Sequence, residues 1–213
     1  RVHGGADGLK LNADHYVMEG FEVTGDAGLP TNRCVFTVGN DITIRDTVVH
    51  DCPRHGILGT DSEAGSLLME YVEVYAAGSE RAGEALKHPV YIATNERMYP
   101  KSVFRMQHCY VHDANGGNSV KSRAERNEIY GNWLEGAQYY ELELIGPDDD
   151  SGDTVTAPRE DGDVVAVHRV RDGAVARDHL GTEAVDQLLV RPVGGVRGVF
   201  LGDCLLYTSP SPR

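Results

Sequence analysis

The residues whose types and spacing could do chemistry centre on two charged pairs in the second half of the chain. Glu141 and Glu143 stand two apart, Lys121 and Arg123 also two apart, and His88 and Tyr91 precede them. Lys10 and Asn12 sit near the start. Side chains two apart on a strand share a face, so each pair presents a double charge to one side. These are the groups that β-elimination at a uronate glycosidic link requires. That reaction needs a base for the acidic C5 proton, a cation to neutralise the carboxylate and stabilise the enolate, and an acid for the leaving oxygen. Lys121 is the candidate base and Arg123 the candidate neutraliser, with His88 in the catalytic set and Tyr91, Lys10 and Asn12 as substrate contacts. A lysine base must first lose its proton, and flanking glutamates oppose that loss. A calcium ion held by Glu141 and Glu143 would offset them, so calcium belongs to this reading.

Plainer readings accompany each candidate. Lys121, Arg123, Glu141 and Glu143 also suit a cross-strand salt-bridge ladder on a solvated face. Glu141 and Glu143 are far enough apart for the acid and base of a glycoside hydrolase. His50-Asp51 and His112-Asp113 fall at equivalent places in two repeats and read as turn residues. His55 and His88 precede short strands and read as surface residues. Trp133, Tyr139 and Tyr140 suit either sugar stacking or core packing.

The elements that must position these residues are repetitive. Five segments, VMEGFEVTG, ITIRDTVVHD, LLMEYVEVYA, VFRMQHCYVHD and NEIYGNWLEG, share β-branched alternation ending in a turn. They align through Val23, Val49, Val74, Val111 and Leu134. A second series of short strands aligns through Lys10, Phe36, Leu58, Tyr91, Lys121 and Glu143. Both ladders share a base period near 24 residues. Valine, isoleucine, threonine and tyrosine cut by Asn, Asp and Gly favour strands over helical repeats. A coil this short buries its apolar face only by stacking on its neighbours. If Leu9, Ile57, Val90, Val120 and Leu142 point inward, then Lys10, Tyr91, Lys121 and Glu143 form an outward polar column, joined by Asn12, Arg123 and Glu141. Asn40-Asp41, the run Asn115 to Asn118 and Asn132 suit turns that need positive φ. Residues 77–87 and 94–101 read as insertions that leave the coil as surface loops.

With these ladders the chain resembles the right-handed parallel β-helix superfamily, the pectate-lyase-like fold. HPVYIAT, HDANGGNSVKSRAERNEIYGNWLEG and YYELELIGPD are similar to secreted bacterial β-helix proteins. A more distant similarity is to the chondroitinase B and alginate lyase group, which has a Lys-Ser pair on a strand before an Asn-rich coil. The resemblance carries over only Lys121. It departs at the metal ligands, because no Glu-x-Glu precedes Lys121. The expected class is all-β, a right-handed parallel β-helix solenoid that is a fragment of a longer domain. The implied function is action on, or binding of, an acidic polysaccharide, with a uronate polysaccharide lyase as the first reading. A non-catalytic adhesion or glycan-binding module is the alternative. A secreted or periplasmic location and a monomer are expected, the absence of a signal peptide being put down to a missing N-terminus.

Composition bounds the partners. The chain has 213 residues, with 20 Lys and Arg against 33 Asp and Glu, a net charge of -13. Such a balance disfavours nucleic acid, and no apolar run is long enough to span a membrane. Coils are expected over 1–146, an acidic surface loop over 147–163, and a last coil or frayed end over 164–203. Residues 204–213 read as a translated sequencing adapter. That leaves Cys34, Cys52 and Cys109, an odd number without regular spacing, which reads as three small core residues rather than a disulfide framework or zinc site.

Overall fold

The computed structural model describes residues 8–25, 33–60 and 62–145. It describes the backbone alone for Asp7 and for short strands at Val2–His3, Val164–Ala166, Arg169–Val170, Arg191–Val193 and Val196–Gly198. The expected acidic loop at 147–163 and the final ten residues lie outside the described residues, as does most of 164–203.

The described chain is a parallel β-solenoid of about five turns. In the second ladder, Asp7–Leu11, Arg33–Thr37, His55–Gly59, Val90–Ala93, Val120–Arg123 and Leu142–Leu144 pair in parallel, in sequence order. Leu9, Val35, Ile57, Val90, Val120 and Leu142 are direct register partners, and so are Lys10, Phe36, Leu58, Tyr91, Lys121 and Glu143. The equivalences drawn from the repeat hold residue for residue. The inward row joins one hydrophobic core with the inward residues of the first ladder.

The first ladder differs from a simple alternating strand. Its buried pairs are Met18 and Val23, Ile44 and Val49, Met69 and Val74, Met106 and Val111, Ile129 and Leu134. Each pair is five residues apart, which under strict alternation would face opposite sides. A single left-handed residue between the two members restores the face. Gly20, Asp46, Tyr71, His108 and Gly131 occupy this position with φ of 72°, 46°, 53°, 55° and 59°. The ladder therefore divides into two arms at a one-residue bend. A second left-handed column, Asp51, Ala76, Asp113 and Gly136, ends the second arm. Asp51 and Asp113 thus sit at the turns that the repeated His-Asp pairs indicated.

Asparagines serve these turns differently from the expectation. Gly131 and Asp41 carry the positive φ, whereas Asn132 and Asn40 use their side chains. Buried Asn132 accepts the Cys109 N–H at 2.8 Å and donates to the Met106 carbonyl at 2.8 Å, binding its coil to the one before. Asn40 accepts the Ser66 N–H at 2.8 Å, again across coils.

The cysteine expectation needs correction. Cys34 and Cys52 form a disulfide across a sequence separation of 18, and among the described residues Cys109 is the buried free thiol. The odd count concealed the bond, because stacking rather than sequence spacing brings the two together. Burial pushes the Cys109 thiol up to about 12, so it stays protonated and unreactive. The insertion at 77–87 leaves the coil through a bridge between Ser79 and Lys87 and is held to the coils by Arg54 with Glu84 and Tyr139 with Glu80. Among the described residues no helix is long and apolar enough to cross a membrane.

Truncating Asn132 to Ala would strand one amide and one carbonyl in the interior. The expected loss is about 2–4 kcal/mol, read from urea denaturation. Asn115→Ala, at an exposed site, should stay within about 0.5 kcal/mol. Equal effects at the two positions would refute the capping role.

Candidate functional site

The outer face of the second ladder carries two adjacent columns. One is the row from Lys10 to Glu143. The other lies three residues earlier in each coil: Arg33, His55, His88, Asn118 and Tyr140. From His88 onward this position lies ahead of the strand rather than in it, and the backbone amide of each incoming coil needs an acceptor. The side chain of the preceding coil supplies it. His55 Nδ1 accepts the His88 N–H at 3.1 Å, His88 Nδ1 accepts the Asn118 N–H at 2.9 Å, and Asn118 Oδ1 accepts the Tyr140 N–H at 3.3 Å.

This ladder of acceptors determines the state of both imidazoles. A backbone N–H can only donate, so Nδ1 of each ring carries a lone pair and the single proton sits on Nε2. His55 Nδ1 also lies 3.3 Å from the His88 carbonyl, but a proton on Nδ1 would point at the His88 N–H, which is the closer contact at 3.1 Å and can only donate. Both rings are buried, at 7% and 2% exposure. Burial lowers His55 from 6.5 to about 3, with Lys87 adding to the effect. Burial likewise lowers His88 to about 3, aided by His55 and Lys121. His88, expected at the surface edge of a catalytic set, is thus a buried neutral ring with a structural bond at one nitrogen. His55, read as a surface residue, is its buried twin.

Around these rings the structure gathers Tyr91, Lys121 and Glu143. The His55 and His88 ring centroids lie 5.9 Å apart, and 5.9 and 5.5 Å from that of Tyr91. Lys121 Nζ stands 5.2 Å from the centre of the Tyr91 ring and 3.9 Å from Glu143 Oε2. Glu143 also accepts from Asn118 Nδ2 at 2.6 Å. Arg123 follows Lys121 by two on the same strand, beside Ala93.

Three expected members are elsewhere. Glu141 is 1% exposed, not on the outer face; it accepts the Ser119 hydroxyl at 2.7 Å and the Ala137 N–H at 3.1 Å. It sits in the bend, where alternation breaks and the position before the strand also turns inward. Burial raises its carboxyl above the usual range. Lys10 and Asn12 are exposed but four rungs from Lys121, about 19 Å at the rung spacing of a sheet. The apolar residues Phe36 and Leu58, buried together with Val38 and packed with Tyr91, interrupt the polar column between them. Phe36 is flanked by Arg33, 3.7 Å from its ring centre, and by Lys10 at 5.4 Å.

A second cluster lies on the first ladder, one residue past the Val49, Val74 and Val111 row. His50, Tyr75 and His112 are register partners and stack with centroids 4.9 and 5.1 Å apart. His50 lies between Asp51 at 2.7 Å and Glu22 at 3.2 Å, and His112 between Asp113 at 2.8 Å and Glu73 at 3.1 Å. Tyr110 extends the stack, and Trp133 meets it edge-on at 6.1 Å. Trp133 is thus on a different ladder from Tyr91 and Lys121. Tyr139 donates its hydroxyl to Glu80.

Comparison with known proteins returned no match to any family model, curated protein or solved structure.

The histidine states make a pH prediction. Both folded values, about 3, lie below the ordinary 6.5, so the unfolded chain binds more protons between those limits. The stabilisation is therefore complete above pH 6.5 and is lost progressively as pH falls towards 3. Thermal melts across this window should show wild type losing stability more steeply than a His55→Asn/His88→Asn variant, because asparagine supplies the acceptor without titrating. Parallel curves would contradict the buried neutral rings.

Proposed function

We propose that the outer face of the second ladder recognises an acidic polysaccharide laid along the coils, and that the protein is a secreted or periplasmic β-helix protein of the pectate-lyase-like kind. One observation carries the reading. On a chain of net charge -13, this face carries Lys121 and Arg123 on one strand, with Lys121 over the half-buried ring of Tyr91, and Arg33 over the buried ring of Phe36 three rungs away. Cations neutralise uronate carboxylates while aromatic rings contact sugar carbon faces. The Cys34–Cys52 bond fits an oxidising compartment and so supports the location.

In the catalytic form of this reading, neutral Lys121 takes the C5 proton, Arg123 stabilises the enolate, and the ammonium so formed returns the proton to the leaving glycosidic oxygen as the C4–O bond breaks and the C4–C5 double bond forms. Calcium held by Glu141 and Glu143 does not fit: Glu141 is buried and its two oxygens are engaged by Ser119 and Ala137. No step is assigned to the metal. The non-catalytic module is favoured by a different observation, the ion pair of Lys121 with Glu143 at 3.9 Å. An ammonium so paired binds an anion and does not abstract a proton.

Incubation with pectate, alginate and chondroitin sulfate, with and without calcium, separates the two forms. The lyase form predicts growing ultraviolet absorbance of unsaturated uronates, abolished in Lys121→Ala. Binding without that absorbance, weakened at least about tenfold by Lys121→Ala, is the expected result for the module. Failure to bind any of the three polymers would overturn the proposal.

A further inference from the structure

His55 and His88 each use one ring nitrogen within the fold and leave the other unused. Nδ1 is an acceptor for the next coil, as the backbone amides require. Nε2 therefore carries the proton, and among the described residues it makes no hydrogen bond in either ring. Neither Nε2 is among the polar atoms wholly sealed without a partner, so each keeps some accessible surface although the residues are more than nine-tenths buried. A buried donor with no acceptor is costly unless something meets it, and two occur side by side. They border the same tyrosine ring over which Lys121 is held.

From this arrangement we infer that His55 and His88 are a pair of neutral Nε2–H donors for an oxyanion, the carboxylate of an acidic sugar, bound over Tyr91 beside Lys121. The inference rests on the proposal that this face takes acidic polysaccharide, and it names the groups that hold the carboxylate. The pair supplies donors and Lys121 supplies charge. Because Nδ1 is committed to a backbone amide, neither ring exchanges a proton with substrate; both are positioning residues. An acceptor at Nε2 also polarises the ring and strengthens Nδ1 as an acceptor, so ligand binding and coil stacking reinforce one another.

The same column supplies its own control. Asn118 performs the acceptor role in the next coil through Oδ1, so His55→Asn and His88→Asn keep the fold's bond while removing the outward imidazole N–H. The full chain, labelled with ¹⁵N, would be titrated with a galacturonate oligomer, an alginate oligomer, the matching carboxyl-reduced oligomer, and sulfate. Ring nitrogen resonances would be followed and affinities measured by calorimetry. The expected result is both rings in the Nε2–H form, Nε2 shifts with the carboxylated oligomers and none with the reduced one. The double variant should lose affinity by about tenfold or more at an unchanged melting temperature near neutral pH. Protons found on Nδ1, or uronate binding that leaves both Nε2 signals unmoved, would overturn the inference while sparing the proposed function. Nε2 shifts with sulfate but none with uronate would uphold an oxyanion site and overturn the polysaccharide reading. Silence towards every probe would overturn the histidine assignment.

Discussion

Each coil can stack only if the backbone amides at its bends find acceptors in the coil beside it. Ladder bonds along the strands are automatic in a parallel sheet, but at corners the chain turns and its amides leave the plane. The corners are met by side chains: Asn40 and Asn132 on the first ladder, and His55, His88 and Asn118 on the second. These residues set the register, and the register aligns every inward row and every outward column. The two left-handed columns of the first ladder serve the same end, because each single reversed residue returns the apolar side chains to the core.

The histidines are where that constraint meets chemistry. An asparagine at a bend satisfies the backbone and ends there. A histidine in the same place satisfies it with one nitrogen and leaves the other, already protonated, without a bond inside the described fold. Backbone geometry thus fixes a tautomer that would otherwise fluctuate, and burial keeps it uncharged across the neutral range. Lys121, one rung below Tyr91, adds the charge that the rings lack. The His50–Tyr75–His112 stack, with a carboxylate at both nitrogens of each histidine, is the opposite case: the rings' polar atoms are satisfied within the protein.

Much of this was legible in the sequence. The rows through Val23 and Lys10 could be aligned because each coil must repeat the same alternation of inward and outward residues, and all their members prove to be register partners. The outward position of Lys121 and Glu143 followed from alternation alone. Alternation misplaced Glu141, since parity is lost at a bend and the residue before the strand turns in. It also concealed the two arms of the first ladder, whose buried residues recur at five rather than two or four. The histidine column had a usable signal: His55, His88 and Asn118 each stand three before a member of the Lys10 row. Reading them one at a time, as residues ahead of a strand, obscured the column. The Cys34–Cys52 bond had no such signal, because a count of cysteines says nothing of which coils touch.

The central claim is that the side chains holding the coils together also face the ligand. Amide hydrogen exchange of the full chain, with and without a saturating oligouronate, tests it most directly. The account predicts slower exchange at the His88 and Asn118 amides, whose acceptors are the two imidazoles, and no change at the turns beside His50 and His112. Protection confined to the His50–Tyr75–His112 face, or none at His88 and Asn118 while ligand is bound, would contradict it.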